Sequence, residues 1–181
     1  VAVGQAGSGV RLLADRLLPA AGLDPLLLDE AADARTPSPA LRATARKLGR
    51  QMMRAARATW PSAELDALAA ARPRGAHQPV VLGLAARAAS LGPEDAAHCV
   101  AYEAVSGPAT AVVRLLSLDP FDATGVLARL APELDAVARR AAVAAAEAVV
   151  EGAAVLPAAS APLLDVMAEA HAAWPVRLFA S

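Results

Sequence analysis

Residues 38–60 read Ser-Pro-Ala-Leu-Arg-Ala-Thr-Ala-Arg-Lys-Leu-Gly-Arg-Gln-Met-Met-Arg-Ala-Ala-Arg-Ala-Thr-Trp, and this stretch decides the fold class. Ser38 can cap a helix, and Pro39 suits the first helical position because its fixed φ is already helical. Two stripes follow, each with its residues three or four positions apart, as on one face of an α-helix. The apolar stripe is Leu41, Ala45, Leu48, Met52 and Ala56, and the basic stripe is Arg42, Arg46, Arg50, Arg54 and Arg57. This spacing predicts an amphipathic helix that ends near Trp60.

Prolines, glycines and capping residues divide the rest of the chain into segments of helical length. Because a residue before proline is pushed out of the helical conformation, Asp33–Pro39 is predicted to be a linker and Arg72–Pro79 a second loop. Gly92 is predicted to end the helix that precedes it. The other predicted helices are Val10–Leu18, Ser62 to Ala71, Val80–Leu91, Pro93 to Leu116 with a bend or break at Gly107-Pro108, one starting at Asp119-Pro120, one from Pro132 to Val150, and one from Pro162 to about Trp174.

The composition favours helices throughout. The chain has 181 residues, of which 56% are apolar and 3% aromatic, and it contains no isoleucine. Much of the apolar fraction is alanine, the strongest helix former, and no β-type alternation extends over more than a few residues. The sequence therefore predicts an all-α, single-domain bundle of about seven to nine helices with short loops. This domain covers residues 1–181, with the weakest signals in 1–32 and a C-terminal tail at 175–181.

No catalytic or metal-binding arrangement can be argued from the sequence. The Gly4–Gly9 run lacks the Gly-Lys-Ser/Thr ending of a phosphate-binding loop. No two of the histidines, His77, His98 and His171, have the i, i+4 spacing with which two imidazoles share a metal on a helix. Cys99 is predicted to be buried beside a partly exposed His98. The sequence therefore predicts that the chain is not an enzyme and holds neither a cofactor nor a metal ion.

The net charge and the single cysteine limit the class of protein and the cellular compartment that fit the sequence. The formal net charge of -1 argues against a general nucleic-acid-binding protein, which is usually strongly basic. A single cysteine excludes an intramolecular disulfide and fits a reducing cytoplasm. No apolar run reaches the roughly 18 residues that a membrane span needs, and the first residues do not have the layout of a signal peptide. We therefore expect a cytoplasmic protein without membrane contact.

The basic stripe and the tail leave alternatives open. Like charges four residues apart repel by about 0.2–0.5 kcal/mol per pair. The stripe is therefore either a solvated face or one compensated by an acidic partner or by acidic side chains elsewhere in the fold. Nucleic acid is the less favoured partner, because no aromatic residues interleave with the arginines.

In the tail, Phe179 either packs on its own domain or inserts into a partner, since arginine and aromatic residues dominate interface energies.

Several phrases follow one another in an order and spacing typical of one family. They are Asp33-Ala-Arg-Thr-Pro-Ser-Pro39 running into Arg46-Lys-Leu-Gly-Arg-Gln-Met-Met-Arg54, His77-Gln-Pro-Val-Val-Leu-Gly83, Tyr102-Glu-Ala-Val-Ser106 followed by Ala111-Val-Val-Arg-Leu-Leu-Ser-Leu118, Pro162-Leu-Leu-Asp165 and Arg177-Leu-Phe179. Together they resemble UreF, the helical accessory protein of urease maturation, and in particular its actinobacterial-type variant. The Ser-Gly-Gly-rich early segment usual in that family is not present, and Ala172-Ala-Trp-Pro175 stands where the family usually has polar residues.

The resemblance implies an all-α fold, homodimerisation and no catalytic activity. It also implies a maturation chaperone that joins a UreD/UreH-type accessory protein to the nickel-carrying GTPase UreG, so that the complex inserts nickel into apo-urease. The partner-binding residues carried over by position are Arg177, Leu178 and Phe179 in the tail, Tyr102, Ser106 and Arg114 in the central helix, and Arg50 and Gln51 in the helix phrase, joined by Arg46 and Arg54 from the basic stripe. The alternative function is a helical regulatory or nucleic-acid-binding module that uses the stripe Arg42–Arg57.

Overall fold

The computed structural model describes residues 23–152 and 162–174 of the chain. These residues form seven α-helices and no strand. The helices are α1 (Pro25–Ala34), α2 (Pro39–Thr59), α3 (Ala63–Ala71), α4 (Gln78–Ala88), α5 (Pro93–Leu116), α6 (Pro120–Glu151) and α7 (Pro162–Ala172). The prediction of an all-α fold is confirmed. The helix predicted at Val10–Leu18 lies outside the described residues.

Helix starts follow the capping chemistry of the sequence. Asp24, Ser38 and Asp119 precede α1, α2 and α6, and each side chain accepts a hydrogen bond from a backbone N–H of the first turn. The three distances are 2.9, 3.1 and 2.8 Å. Such a bond satisfies one of the N–H groups that has no partner within the helix. The starts predicted at Ser38 and Asp119 are therefore confirmed, and so is the end of α2 next to Trp60.

Helix α4 lies at the centre of the core. It contacts α1, α2, α3 and α5. Its side chains Val80, Val81 and Leu84 are at most 1% exposed, and Leu65 and Leu68 of α3 are buried in the same apolar cluster. Burial of a valine or leucine side chain stabilises a fold by about 1.5–3 kcal/mol. The short helix α4 therefore holds the first half of the chain together.

Helices α5 and α6 form a long antiparallel pair whose contact is made largely by alanine. Ala138, Ala141, Ala145 and Ala148 of α6 are each 0% exposed and follow one another at helical spacing. A methyl side chain lets neighbouring helices approach closely, because the distance between helix axes depends on the side chains at the contact. Each such methyl contributes only about 0.8 kcal/mol on burial, so this pair gains little energy per residue.

Two prolines that were predicted to interrupt helices lie inside them. The prediction that Pro132 opens a separate helix is wrong, because α6 continues through it, and α5 likewise continues through Pro108. An internal proline removes one backbone hydrogen bond and costs about 3 kcal/mol. Both prolines are exposed, so the carbonyl groups that lose their partner lie near the surface. Packing of α5 along α6 then holds each helix in one piece.

Two predicted helix boundaries also differ from those in the structure. Gly92 does not end a helix: α4 ends at Ala88, Ser90 takes the left-handed φ of 61°, and Gly92 is the N-cap of α5. The predicted linker Asp33–Pro39 is shorter than expected, because its first two residues complete the last turn of α1. Only residues 35–38 separate α1 from α2.

Helix α2 touches the loop between α3 and α4 at Gly49. A Cβ atom at this position would lie 2.0 Å from the carbonyl oxygen of Ala76 and 3.1 Å from the backbone nitrogen of Gln78. In the loop, Gly75 has a φ of +99°, which other residues rarely adopt, and a Cβ there would lie 2.5 Å from the carbonyl oxygen of Arg46. Both glycines are therefore needed for the loop to lie against α2.

We expect Gly49→Ala to lower the free energy of unfolding by about 3 kcal/mol, because backbone must move to make room for the new methyl group. Gly125→Ala is the matched control, since a Cβ there meets only Arg129 Nη1 at 3.5 Å. This control should raise stability by about 0.5–1 kcal/mol, the usual gain from replacing a helical glycine. Urea unfolding followed by circular dichroism measures both. Equal stability of Gly49→Ala and the parent would contradict the close contact.

Candidate functional site

The carboxylate of Asp29 is the most buried charge in the described part of the chain. The residue is 1% exposed. Its oxygens accept hydrogen bonds from Arg46 Nη1 at 3.3 Å, from Arg72 Nε at 2.8 Å and from the backbone N–H of His77 at 2.7 Å. A buried charge is tolerated only when it is paired and hydrogen-bonded in this way. Asp29 therefore ties α1 to α2 and to the loop between α3 and α4.

A second carboxylate, Asp33, lies one turn further along α1. It accepts from Arg46 Nη2 at 2.7 Å and from His77 Nε2 at 3.0 Å. The hydrogen bond from His77, and after it that from Arg46, holds the pKa of Asp33 below its ordinary value. A carboxylate whose pKa falls on folding adds stability above its unfolded pKa and loses it as the pH drops through the folded pKa. The Asp33 contacts therefore weaken only in acid.

The loop 72–77 is held against α2 by arginine side chains as well. Arg46 donates to the carbonyl oxygen of Gly75 at 2.8 Å, and Arg50 donates to the carbonyl oxygen of Arg74. At the start of the loop, the hydrogen bond to Asp29 raises the pKa of the Arg72 guanidinium, which also pairs with Glu30 at 3.2 Å. Backbone and side-chain bonds together fix the path of the loop.

Between α2 and this loop lies an open cleft of about 690 Å³. We call it the arginine cleft. Its charged lining residues are Arg42, Arg46, Arg50, Arg72, Arg74 and Asp33. Guanidinium groups present several N–H donors in a plane that matches carboxylate and phosphate oxygens. The cleft is therefore suited to an anionic group.

The predicted basic stripe thus divides into parts with different surroundings. Arg46 turns toward the two aspartates of α1, and Arg57 pairs with Asp66 of α3 at 2.6 Å. Arg50 lines the arginine cleft. Gln51 and Arg54 are exposed on α2 and are not among the residues that line it. Acidic side chains of the chain itself compensate part of the stripe, which was one of the alternatives left open by the sequence.

The predicted residues of the central helix lie on α5. Tyr102 is 57% exposed. Ser106 and Arg114 line a shallow groove of about 370 Å³ together with Gly107, Thr110 and Ala111. Tyr102 precedes Ser106 by one helical turn, so these two residues share a face of α5, although Tyr102 is not among the residues that line the groove. The remaining predicted residues, Arg177, Leu178 and Phe179, lie outside the described residues.

An apolar band surrounds the turn between α5 and α6. Phe121 is 83% exposed. The chain has only two phenylalanines, so a large aromatic side chain is rare in it and this one is not used in the core. The other members are Val112, Leu115, Leu116 and Leu118, which are 36–65% exposed. Contiguous exposed apolar surface of this kind is typical of protein–protein contact sites. We call this surface the apolar band.

Helix α7 is attached to α2 through Glu169. One oxygen of its carboxylate accepts hydrogen bonds from the Ser38 hydroxyl and, at 2.8 Å, from the backbone N–H of Ala40. The bond from Ser38 lowers the pKa of Glu169. A negative charge is favourable here, because the first N–H groups of a helix carry partial positive charge. Glu169 therefore adds a second cap to α2 from a distant part of the chain.

Cys99 and His98 of α5 lie outside the arginine cleft. Cys99 is exposed, so the prediction that it is buried is wrong: Ala96, Ala97 and Val100 occupy the buried face of α5 instead. His98 Nε2 lies 3.2 Å from Asp135 Oδ1 of α6.

Across residues 23–152 and 162–174, no three His, Cys, Asp or Glu side chains are placed to hold a metal ion. No helix in the same ranges is long and apolar enough to cross a membrane.

The sequence analysis did not identify Asp29, Arg72 or Arg74 as site residues. A signal for Asp29 was present, because it follows the apolar run Leu26–Leu28 and stands four residues before Asp33. Carboxylates at i and i+4 share one face of a helix. The positions of Arg72 and Arg74 depend on how the loop folds back on α2, which no local pattern encodes.

Known proteins resemble this chain over most of its length. The family model UreF matches residues 10–131. The urease accessory protein UreF of Mycolicibacterium vanbaalenii is 41% identical over 153 residues, which cover 84% of this chain and 64% of that protein. UreF of Mycobacterium marinum is 40% identical over 153 residues (84% and 65%), and UreF of Mycobacterium tuberculosis is 36% identical over 143 residues (79% and 61%). The chain therefore spans less than two thirds of the length of these relatives.

We expect Asp29→Asn to destabilise the fold by about 3–5 kcal/mol, because it leaves two arginines near a buried site without their carboxylate. Asp66→Asn is the matched control: it removes the same charge from an ion pair whose side chains are 49% and 59% exposed. That change should cost less than about 1 kcal/mol. Thermal unfolding and urea titration measure both variants. A similar small effect for the two variants would show that Asp29 does not hold the loop.

Proposed function

Because the chain belongs to the UreF family, we propose that it is a non-catalytic scaffold of urease maturation. In this role it links a UreD/UreH-type accessory protein to a UreG-type GTPase while nickel is inserted into apo-urease. The observation that carries the proposal is the family match over residues 10–131, supported by relatives that bear the name urease accessory protein. Nickel is cargo of the complex, and no residue of this chain is assigned to it.

The surfaces proposed to meet partners fall within the matched segment, apart from the tail. The α5 groove with Ser106 and Arg114, the neighbouring Tyr102, and the exposed Gln51 and Arg54 of α2 all lie between residues 10 and 131. The tail residues Arg177–Phe179 follow that segment and are assigned to the UreD/UreH-type partner. A protein with several separate contact faces can hold two partners together without an active site.

The apolar band is proposed to meet a second copy of the chain. Phe121 alone exposes most of its ring to solvent, and its aliphatic neighbours on α5 extend the surface. A twofold interface places the same patch of both copies face to face, so an apolar patch can cover itself. The alanine-rich core, which gains little energy per residue, is consistent with a fold that takes part of its stability from association.

Nucleic-acid binding through the basic stripe is the weaker candidate. Arg46 and Arg57 already have carboxylate partners within the chain, at 2.7 and 2.6 Å. Neutralisation by neighbouring carboxylates reduces the phosphate contacts that supply most non-specific affinity for nucleic acid. The overall net charge of -1 further disfavours it.

The accessory role predicts co-purification of the chain with a UreD/UreH-type protein and, through it, with a UreG-type GTPase. Deletion of residues 177–181 should abolish the first interaction while leaving the circular dichroism spectrum unchanged, because the tail follows the last described helix. The matched control is Arg140→Ala with Val143→Ala, which removes an exposed arginine and an exposed apolar residue from α6. Failure of every pairwise interaction at micromolar concentration would exclude the role, and unchanged affinity after truncation would exclude the tail.

For the homodimer, we expect Phe121→Ser to weaken self-association by at least about 100-fold, since the two copies together lose about 3–6 kcal/mol of apolar burial. Val150→Ser is the control, because Val150 is 84% exposed and lies on the same helix about 44 Å away at 1.5 Å per residue. Sedimentation velocity over a range of concentrations measures the dissociation constant. Equal effects of the two substitutions would place the dimer contact elsewhere.

A further inference from the structure

The arginine cleft contains positive charge for which the described residues provide no carboxylate partner. Arg50 donates only to the backbone carbonyl of Arg74, and Arg74 itself makes no ion pair or hydrogen bond through its side chain within the described ranges. Arg42 donates to the carbonyl oxygens of Thr36 and Pro37, at 2.6 and 2.9 Å. Unlike Arg46 and Arg72, these side chains do not form an ion pair with a carboxylate among the described residues.

We propose that the arginine cleft binds an acidic peptide segment of a protein partner, with Arg50 and Arg74 as its principal carboxylate contacts. Both side chains are exposed and line the same opening. The cleft volume of about 690 Å³ lies within the range of roughly 300–1,000 Å³ that is usual for ligand clefts. Nε and Nη2 of Arg50 remain available as donors, so its guanidinium can bind a carboxylate through two parallel hydrogen bonds.

The cleft is arranged before the ligand binds. Asp29 of α1 holds Arg72 at 2.8 Å and Arg46 of α2 holds the carbonyl of Gly75 at 2.8 Å, so the loop that presents Arg74 is attached to both helices. A surface that is already ordered loses less conformational entropy on binding than a mobile one. A fixed loop thus favours a specific acidic segment over diffuse attraction of anions.

The lining favours a peptide over nucleic acid. The residues that line the cleft include no aromatic ring on which a base could stack. Asp33 is part of the lining, and Glu30 pairs with Arg72 at its edge. These carboxylates repel a continuous phosphate backbone, whereas a peptide can place its own acidic side chains between them. The peptide class therefore fits the charge pattern of the cleft best.

This inference rests on the proposed accessory role only in that the acidic segment would belong to one of its partners. A measurement with a synthetic peptide tests the cleft alone, whereas co-purification tests the role. Either can fail without the other.

The test measures fluorescence anisotropy of a fluorescein-labelled peptide of six Gly-Glu repeats with the full chain in 50 mM NaCl. We expect saturable binding that a peptide of six Gly-Gln repeats does not show and that weakens steeply as salt is added. Arg50→Gln with Arg74→Gln should reduce affinity at least tenfold, because two charge-assisted contacts are lost. Arg139→Gln with Arg140→Gln is the matched control: it removes the same two charges from exposed positions of α6, outside the cleft, and should change affinity less than twofold.

Arg74→Glu serves as a second variant, since this side chain makes no hydrogen bond or ion pair among the described residues and we expect its reversal to leave the fold intact. It should abolish peptide binding at an unchanged melting temperature. The proposal is overturned by no binding of the acidic peptide at 50 mM NaCl, by an equal loss in the control Arg139→Gln with Arg140→Gln, or by retained binding in Arg74→Glu. Displacement of the peptide by a lower concentration of a twelve-residue oligothymidylate would overturn it in favour of nucleic acid.

Discussion

The buried carboxylate of Asp29 constrains the first half of the molecule. A charge that is 1% exposed needs partners, and its three partners come from two segments other than its own helix. Arg46 arrives from α2, while Arg72 and the backbone of His77 arrive from the loop that precedes α4. Because α4 forms the centre of the core, the position of one carboxylate on α1 and the packing of the apolar core are set together.

The close approach of loop and helix follows from the same constraint. The hydrogen bonds to Asp29 draw residues 72–77 against α2, and only glycine fits at position 49 and at the positive φ of position 75. The loop 72–77 is thereby held in place, with Arg74 beside Arg50 at the arginine cleft. Polar interactions that stabilise the interior thus also determine the geometry of a charged surface, so the core and the candidate site cannot vary independently.

Local chemistry explains which parts of this structure were predictable. Ser38, Asp119 and the spacing of apolar residues on α2 act within one or two turns, and the helix starts that they predict are correct. Pro132 was misjudged because packing between α5 and α6 outweighs the local cost of an internal proline, and α5 also continues through Pro108, where a bend or a break was predicted. Cys99 was misjudged because Ala96, Ala97 and Val100 occupy the buried face of α5. In the candidate site, the arginine stripe was visible as a periodicity, but its division into compensated and free charges depends on Asp29, Asp33 and Asp66, which are distant in sequence from most of the arginines they meet.

The attachment of α7 through Glu169 has a consequence for the order in which the chain folds. Its hydrogen bonds to Ser38 and Ala40 join residues 131 and 129 positions apart. During synthesis, α2 therefore emerges from the ribosome and packs against α4 long before the carboxylate that completes its first turn has been made. The first turn of α2 is therefore complete only after α7 has been translated, and closure of this long loop joins two distant parts of the described fold.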